Sequence, residues 1–305
     1  MRACLLVLLA CAAVAVEPAW SQAQRESIAR DAAAAVQVDG AWHVRTAHYR
    51  VRVDAGALLA AEVAAYCELA RAAVLAELEI TGLRESEPCA VVVYASRARY
   101  RAAFSGANSR GRFDWNYASA DAAPTYLVAT YQADAARGLS GIVPILTHEL
   151  SHQVLQAAAG RRHIPWLVQE GVATYFQTWN VFRDPAWNRA HRRNEFQREL
   201  CRACADDALP TLPALAQLEV WDADHFGPIT HTRYGCAESL LGHLLADPSR
   251  RPFARRLLRA ALDGEDVATL LASDAGRRVE AEWRATVIDQ ARLVATGVSA
   301  STASR

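Results

Sequence analysis

Two histidines, the first followed directly by a glutamate, lie in the stretch THELSHQVL, residues 147–155. Residues four positions apart share one face of an α-helix, so His148 and His152 can direct their imidazole nitrogens at one point. A zinc ion lies about 2.0–2.1 Å from such nitrogens. Glu149 is offset by a single residue, so it reaches beside the metal, where a bound water would lie. The spacing predicts the helix motif of zinc hydrolases, with Glu149 as general base.

A third metal ligand is needed, because a catalytic zinc ion has three protein ligands and one open position. Glu170 is the candidate, since it follows His152 after a helix end, a short basic turn and the start of a new helix. The first helix ends at Gly160 and the new one starts near Pro165. This separation is long enough to turn the chain back antiparallel. We also expect Gly171 to leave room where the two helices approach the metal.

The segments upstream of the motif predict a small sheet with helices. Alternating or continuous apolar runs predict strands at 48–54, 89–96 and 125–131, and helical spacing predicts a long helix over 57–79. The stretch SGANSRGRFD, residues 105–114, is predicted to be a loop.

The composition changes near residue 180, after which every segment is typical of helix or loop. We therefore predict an α+β fold, with a small mixed β-sheet and helices followed by a mostly helical C-terminal half. The expected organisation is a signal peptide over 1–23, a flexible lead-in over 24–40, an α/β half over 41–180 that carries both motif helices, a helical half over 181–293 and a disordered tail over 294–305.

The N-terminus predicts export. One Arg precedes an uninterrupted apolar run over 3–16, which is too short to anchor a chain across a bilayer. Glu17 and Pro18 end the run, and SQA at 21–23 offers small residues at the −3 and −1 positions of a cleavage site. This is typical of a secretory signal peptide, so we expect a periplasmic or secreted protein. The stretch Leu9-Ala10-Cys11 leaves a lipoprotein cleavage site open as an alternative.

Composition limits the partners that the sequence indicates. The chain has 305 residues, 52% of them hydrophobic and 22% charged, which is an ordinary globular balance. The formal net charge is zero, so electrostatics give no support to nucleic acid or an anionic membrane as a partner. We expect no nucleic acid partner and no membrane span. Oligomeric state is not indicated.

Five cysteines follow the predicted signal peptide, and an oxidising compartment favours their pairing. They are Cys67, Cys89, Cys201, Cys204 and Cys236. We expect at least one disulfide, within the last three of them, although the CRAC spacing also fits a redox or second zinc site. The first two either form another disulfide or are two buried thiols.

Taken together, THELSHQVL and the later PWLVQEGVATYF resemble the gluzincin metallopeptidases, the thermolysin-like branch of the zincins. The closest resemblance is to their peptidase-MA-like relatives, whose second helix follows W-L-x-E-G-x-A-x-Y-F. The matching residues are Trp166, Leu167, Glu170, Gly171, Ala173, Tyr175 and Phe176. The resemblance covers 140–180, and loosely the upstream strands and RYGCAESLLGHLL. It implies a zincin-like fold in which His148, His152 and Glu170 bind Zn²⁺ and Glu149 activates the water.

The sequence departs from the family in two places. It has no G-x-M-E-N stretch of the kind that gluzincin aminopeptidases use to hold a substrate amino terminus. Thermolysin has an Asp shortly after its third ligand that orients a histidine, whereas Thr174 stands four residues after Glu170 here. The groups that orient the metal ligands are therefore not indicated.

The resemblance also suggests how the transition state is stabilised. Tyr234 follows Glu170 by 64 residues, about the separation at which several gluzincins place a tyrosine that hydrogen-bonds the oxyanion. His231, one turn earlier, competes for this role, and Tyr234 could instead only fill space between helices. By the same analogy, the strand TYLVATY is expected to be the sheet edge along which an extended substrate binds.

The function that these residues and the resemblance together imply is that of an exported, zinc-dependent metallopeptidase of the gluzincin type, with a peptide or protein substrate. The alternative is a zinc-binding, catalytically weak or degenerate scaffold protein of the cell envelope. A purely structural zinc site has no need of a carboxylate at Glu149, and this favours catalysis. The sequence indicates neither the substrate and cleavage preference nor endo- or exopeptidase action.

Overall fold

The computed structural model describes residues 18–83, 85, 87–105, 109–117, 124–191, 196–218 and 228–295. Within these ranges the strands form one mixed sheet, and helices make up most of the remainder, so the predicted α+β class is confirmed. The strands are β1 (Val36–Val38), β2 (Ala41–Arg45), β3 (Tyr49–Val53), β4 (Cys89–Tyr94), β5 (Gly111–Tyr117) and β6 (Pro124–Tyr131). The helices are α1 (Gln22–Ala34), α2 (Ala57–Leu78), α3 (Arg97–Ala103), α4 (Val143–Ala159), α5 (Trp166–Gln177), α6 (Pro185–His191), α7 (Gln197–Ala205), α8 (Leu212–Ala216), α9 (Pro228–Ala246), α10 (Arg251–Asp263), α11 (Val267–Ala272) and α12 (Asp274–Ala295).

The order of strands in the sheet is β1-β2-β3-β4-β6-β5. Strand β4 pairs in parallel with β3 and β6, and the remaining pairs are antiparallel. The prediction that TYLVATY is the sheet edge is wrong, because this strand is β6 and lies between β4 and β5. The predicted loop over 105–114 is also wrong from Gly111 onward, where β5 begins. Among the described residues, β5 is therefore the edge strand on this side of the sheet, and β1 is the edge strand on the other side.

The N-terminal segment is more regular than the sequence predicts. The expected flexible lead-in over 24–40 lies in α1 and the β1–β2 hairpin. Ser21 caps α1 in a capping box with Gln24, and the buried Trp20 packs edge-on against the Phe182 ring, with ring centroids 4.8 Å apart. Residues 1–17 of the predicted signal peptide lie outside the described residues. Ser21 and Trp20 fall within the predicted signal peptide, whose cleavage after Ala23 stays a prediction.

Helix α4 lies between the sheet and the helical half and packs against both. Leu146 and Leu150 belong to the core that the helix shares with the sheet, and Val154 and Leu155 belong to the core of the helical half. A helix buried on several faces must carry apolar residues all round, and this one does. The polar residues of α4 are therefore held in fixed positions by two cores.

The cysteines of the described residues form no disulfide. All five cysteines there are free thiols, so the expected disulfide is not found. Cys201 and Cys204 lie one turn apart on α7, while Cys67, Cys89 and Cys236 are buried.

None of the described helices combines the length and apolar character that crossing a bilayer requires. The predicted tail over 294–305 lies outside the described residues beyond position 295.

Candidate metal centre

Three of the predicted site residues converge where α4 meets α5. The Nε2 atoms of His148 and His152 are 3.2 Å apart. Glu170 of α5 places Oε2 3.3 Å from His148 Nε2 and Oε1 3.6 Å from His152 Nε2. One ligand atom from each residue lies within 4.8 Å of the others, so this group could hold a metal ion. The structure thus brings together the residues that the sequence predicts as ligands.

The turn between the two helices is fixed by one side chain of α4. Gln156 Nε2 donates to the backbone oxygens of Gly160 at 2.6 Å and Arg162 at 3.1 Å. Gly160 ends α4 with φ 67°, a left-handed conformation that favours glycine, and Pro165 precedes α5. Gln156 is almost fully buried, so its two hydrogen bonds are shielded from water. They hold the turn that leads from α4 to α5, the helix that carries Glu170.

The chemistry of the group suits a divalent cation. Two imidazole nitrogens and a carboxylate are a ligand set that transition metals accept. The Oε2 atom of Glu170 is buried without a hydrogen-bond partner among the described residues. This oxygen lies 3.3 Å from His148 Nε2, so a cation held by the group would give it a ligand contact in place of the missing hydrogen bond.

Burial and neighbouring charges shift the pKa of each residue in the metal-free group. Burial lowers the pKa of His152 to about 4, so its ring is neutral at pH 7. Burial would also lower the pKa of His148, but the Glu170 carboxylate outweighs it and raises that pKa above its ordinary value. For Glu170, burial is outweighed by the two histidines and a hydrogen bond from Tyr234, which lower its pKa. Because a metal binds only the neutral imidazole, the raised pKa of His148 makes metal binding weaker as the pH falls.

Glu149 lies on α4 beside this group but outside it. Its side chain is buried between α4 and the start of β5, where it touches the backbone position of Gly111. Burial raises the pKa of Glu149 to about 7; His148 opposes this, and the charges of Glu170 and Asp114 add to it. A carboxylate that titrates near neutrality can both take up and return a proton at that pH.

Tyr234 reaches the site from α9. Its hydroxyl hydrogen-bonds the Glu170 carboxylate. Its ring packs between Trp166, at 5.7 Å between centroids, and Phe196, at 5.1 Å. The ring therefore packs between helices, and the hydroxyl bonds to a candidate metal ligand, while the oxyanion role stays a prediction. The ring of His231 also stacks on Phe196, with ring centroids 5.3 Å apart.

Gly171 makes room for a different helix from the one that the sequence predicts. A Cβ at this position would lie 2.9 Å from the backbone oxygen of Ala237 on α9, not against α4. The close contact of α5 with α9 places Tyr234 beside Glu170. The expectation that Gly171 leaves room between the two ligand helices is therefore wrong.

We expect Gly171→Ala to lower the free energy of unfolding by about 1–3 kcal/mol, because the added methyl group overpacks the α5–α9 contact. Chemical denaturation measures the change. Gln169→Ala, on the same helix and partly exposed, is the matched control and should stay within about 0.5 kcal/mol of the parent. Equal stability of the two variants would show that α9 moves away freely.

Two further residues at the site lie on the face of α5 that carries Glu170. Thr174 and Gln177 follow it by four and seven positions, the spacing of one helix face. The Gln177 side chain hydrogen-bonds His148, and the hydroxyl of Thr174 is buried without a hydrogen-bond partner among the described residues. The sequence analysis did not propose Gln177 or Gly111, although helical spacing counted from Glu170 would have found the former.

Comparisons with known proteins identify no relative of this chain. No protein-family model matches the chain, and no curated protein or solved structure matches it significantly.

Proposed function

We propose that the protein is a zinc-dependent peptidase of the gluzincin type, with a zincin-like fold. The observation that carries the proposal is the buried Glu149 carboxylate beside the converging His148, His152 and Glu170. A site that only held a metal would gain nothing from a second buried carboxylate that is not a ligand. The packing of α4 against β5 and β6, with the third ligand on the next helix, supports the zincin-like fold.

In this proposal each residue has one task. His148, His152 and Glu170 would hold Zn²⁺, which would act as a Lewis acid and lower the pKa of a water. Glu149 accepts a proton from that water and later returns it to the leaving amine. Tyr234 offers its hydroxyl to the oxygen that becomes negatively charged.

The edge of the sheet supports a peptide as the substrate. Among the described residues, β5 pairs with β6 alone, so its other side forms no strand pair there. An extended peptide can add to such an edge by main-chain hydrogen bonds. Because β5 begins at Gly111, against Glu149, a peptide bound there would run past the base. The apolar N-terminal run supports export, so we place the activity in the periplasm or outside the cell.

The metal is tested first. We expect about one zinc ion per chain after mild dialysis, because two His and one Glu are a usual catalytic ligand set. The double variant His148→Ala/His152→Ala should lose it. Elemental analysis measures both. Zinc retained undiminished in the double variant would place the metal elsewhere.

Hydrolysis is tested with the same preparations on a mixture of unstructured peptides. The parent should cleave them, and a chelator should stop the cleavage until zinc is restored. A parent that binds zinc at these histidines yet cleaves no peptide would favour the scaffold alternative instead.

A further inference from the structure

Gly111, the first residue of β5, lies against the side chains of α4. A Cβ there would lie 2.5 Å from Glu149 Oε1, 2.8 Å from Glu149 Cγ and 2.5 Å from Ile145 Cγ2. Contacts of Cβ atoms under 3.0 Å are essentially never observed. The space that any other residue would fill is therefore occupied by two side chains from one face of α4.

The glycine is not explained by backbone conformation. Gly111 is not among the glycines with positive φ, and it pairs in regular register with Thr130 of β6. A residue with a side chain could adopt the same backbone. What excludes it is the volume that Glu149 and Ile145 occupy.

Neither element that meets at Gly111 can move aside easily. Thr130 Oγ1 donates to the Arg110 backbone oxygen at 2.9 Å, which holds the start of β5 to β6. On the other side, Leu146 and Leu150 of α4 are completely buried in the core shared with the sheet. The most mobile group in the contact is the end of the Glu149 side chain. An added Cβ would therefore displace the carboxylate before it displaced strand or helix.

We propose that Gly111 is a positioning residue for the general base. Its missing side chain lets the Glu149 carboxylate lie directly against the edge strand, between the ligand group and the path of a bound peptide. The role of Glu149 as base rests on the proposed function, whereas the contact itself does not. A larger residue here would leave the metal ligands intact and move the base.

The contact is tested without any assay of activity. In the metal-free protein, Gly111→Ala should lower the denaturation midpoint. The same substitution in a Glu149→Ala background should lower it much less, because the side chain that it meets is gone. An Ile145→Ala background should relieve only the other part of the clash. An equal shift in all three backgrounds would show that Gly111 does not contact these side chains, and the proposal would be abandoned.

The positioning role is tested in the zinc-loaded protein. A displacement of about 1 Å in a reacting group can cost about 10²-fold in rate. We expect Gly111→Ala to lower kcat by about this factor, with the zinc content and KM nearly unchanged. In Gly111→Ala/Ile145→Ala, the midpoint should recover in part while kcat stays low, since the clash with Glu149 remains. Recovery of kcat together with stability would assign Gly111 to packing alone and overturn the proposal. A parent without hydrolysis refutes the peptidase function, yet the stability cycle still decides the contact.

Discussion

Glu149→Gln should retain zinc and the native fold while losing about 10²–10⁴-fold in peptide hydrolysis, the range that a general base typically contributes. The amide has nearly the same shape as the carboxylate but cannot accept a proton from water. Because Glu149 lies outside the group of His148, His152 and Glu170, its replacement removes no ligand. The measurement is kcat on a responsive peptide, with elemental analysis of the same sample. A variant as fast as the parent would show that Glu149 is not the base.

Stability supplies an internal control for this variant. An unfolded glutamate titrates near pH 4.3, and burial raises the pKa of Glu149 in the metal-free protein to about 7. Since the folded pKa is the higher one, ionisation of Glu149 destabilises the fold as the pH rises through this window, and the cost persists above it. Glutamine does not ionise. The free energy of unfolding of the metal-free variant should therefore be at least as high as that of the parent at pH 8. Chemical denaturation measures it, and this outcome would show that the substitution does not unfold the protein.

Tyr234→Phe should lower turnover by about 10²–10³-fold, the typical loss when one donor to an oxyanion is removed. Only the hydroxyl is lost, and the ring contacts with Trp166 and Phe196 remain. The melting temperature and zinc content should stay nearly constant. Steady-state kinetics and elemental analysis measure the two effects separately.

The hydrogen bond from Tyr234 to Glu170 defines the competing outcome. If the hydroxyl only orients this ligand, zinc affinity should fall by about 10–100-fold and saturating zinc should restore turnover. His231→Ala is the matched control, because His231 stacks on the same Phe196. A large rate loss in His231→Ala with none in Tyr234→Phe would move the role to the histidine.

The ligand group could be predicted from the sequence because it depends on local geometry. His148 and His152 are related by helical spacing alone. Glu170 follows on the next helix, after a turn that Gly160 and Pro165 indicate in the sequence. The α+β class followed from periodicity in the same way. Tyr234 was proposed from the family resemblance. Tyr234 lies on α9, far along the chain from Glu170, so no spacing argument could have predicted the hydrogen bond between them.

The edge strand could not be predicted because it depends on non-local pairing. The β-branched and aromatic residues of TYLVATY fit either an edge or a central strand, and only the position of β5 decides between them. β5 itself alternates the aromatics Phe113, Trp115 and Tyr117 with polar residues, a strand pattern that the loop prediction overlooked. The alternation does not show, however, that the strand lies at an edge of the sheet. The partners of Gly111 and Gly171 were hidden for the same reason, since a glycine does not indicate which element approaches it.

The position of the site residues along the chain has a consequence for folding. The three ligand residues fall within 148–170, on consecutive helices, whereas Tyr234 follows much later on α9. Closing the short loop between α4 and α5 costs less chain entropy than docking α9, and local contacts form faster than distant ones. We therefore expect the ligand group to assemble before α9 docks and brings Tyr234 to Glu170. Metal capture would then precede completion of the catalytic site, so a nascent chain could acquire its ion before it could cleave a neighbouring polypeptide.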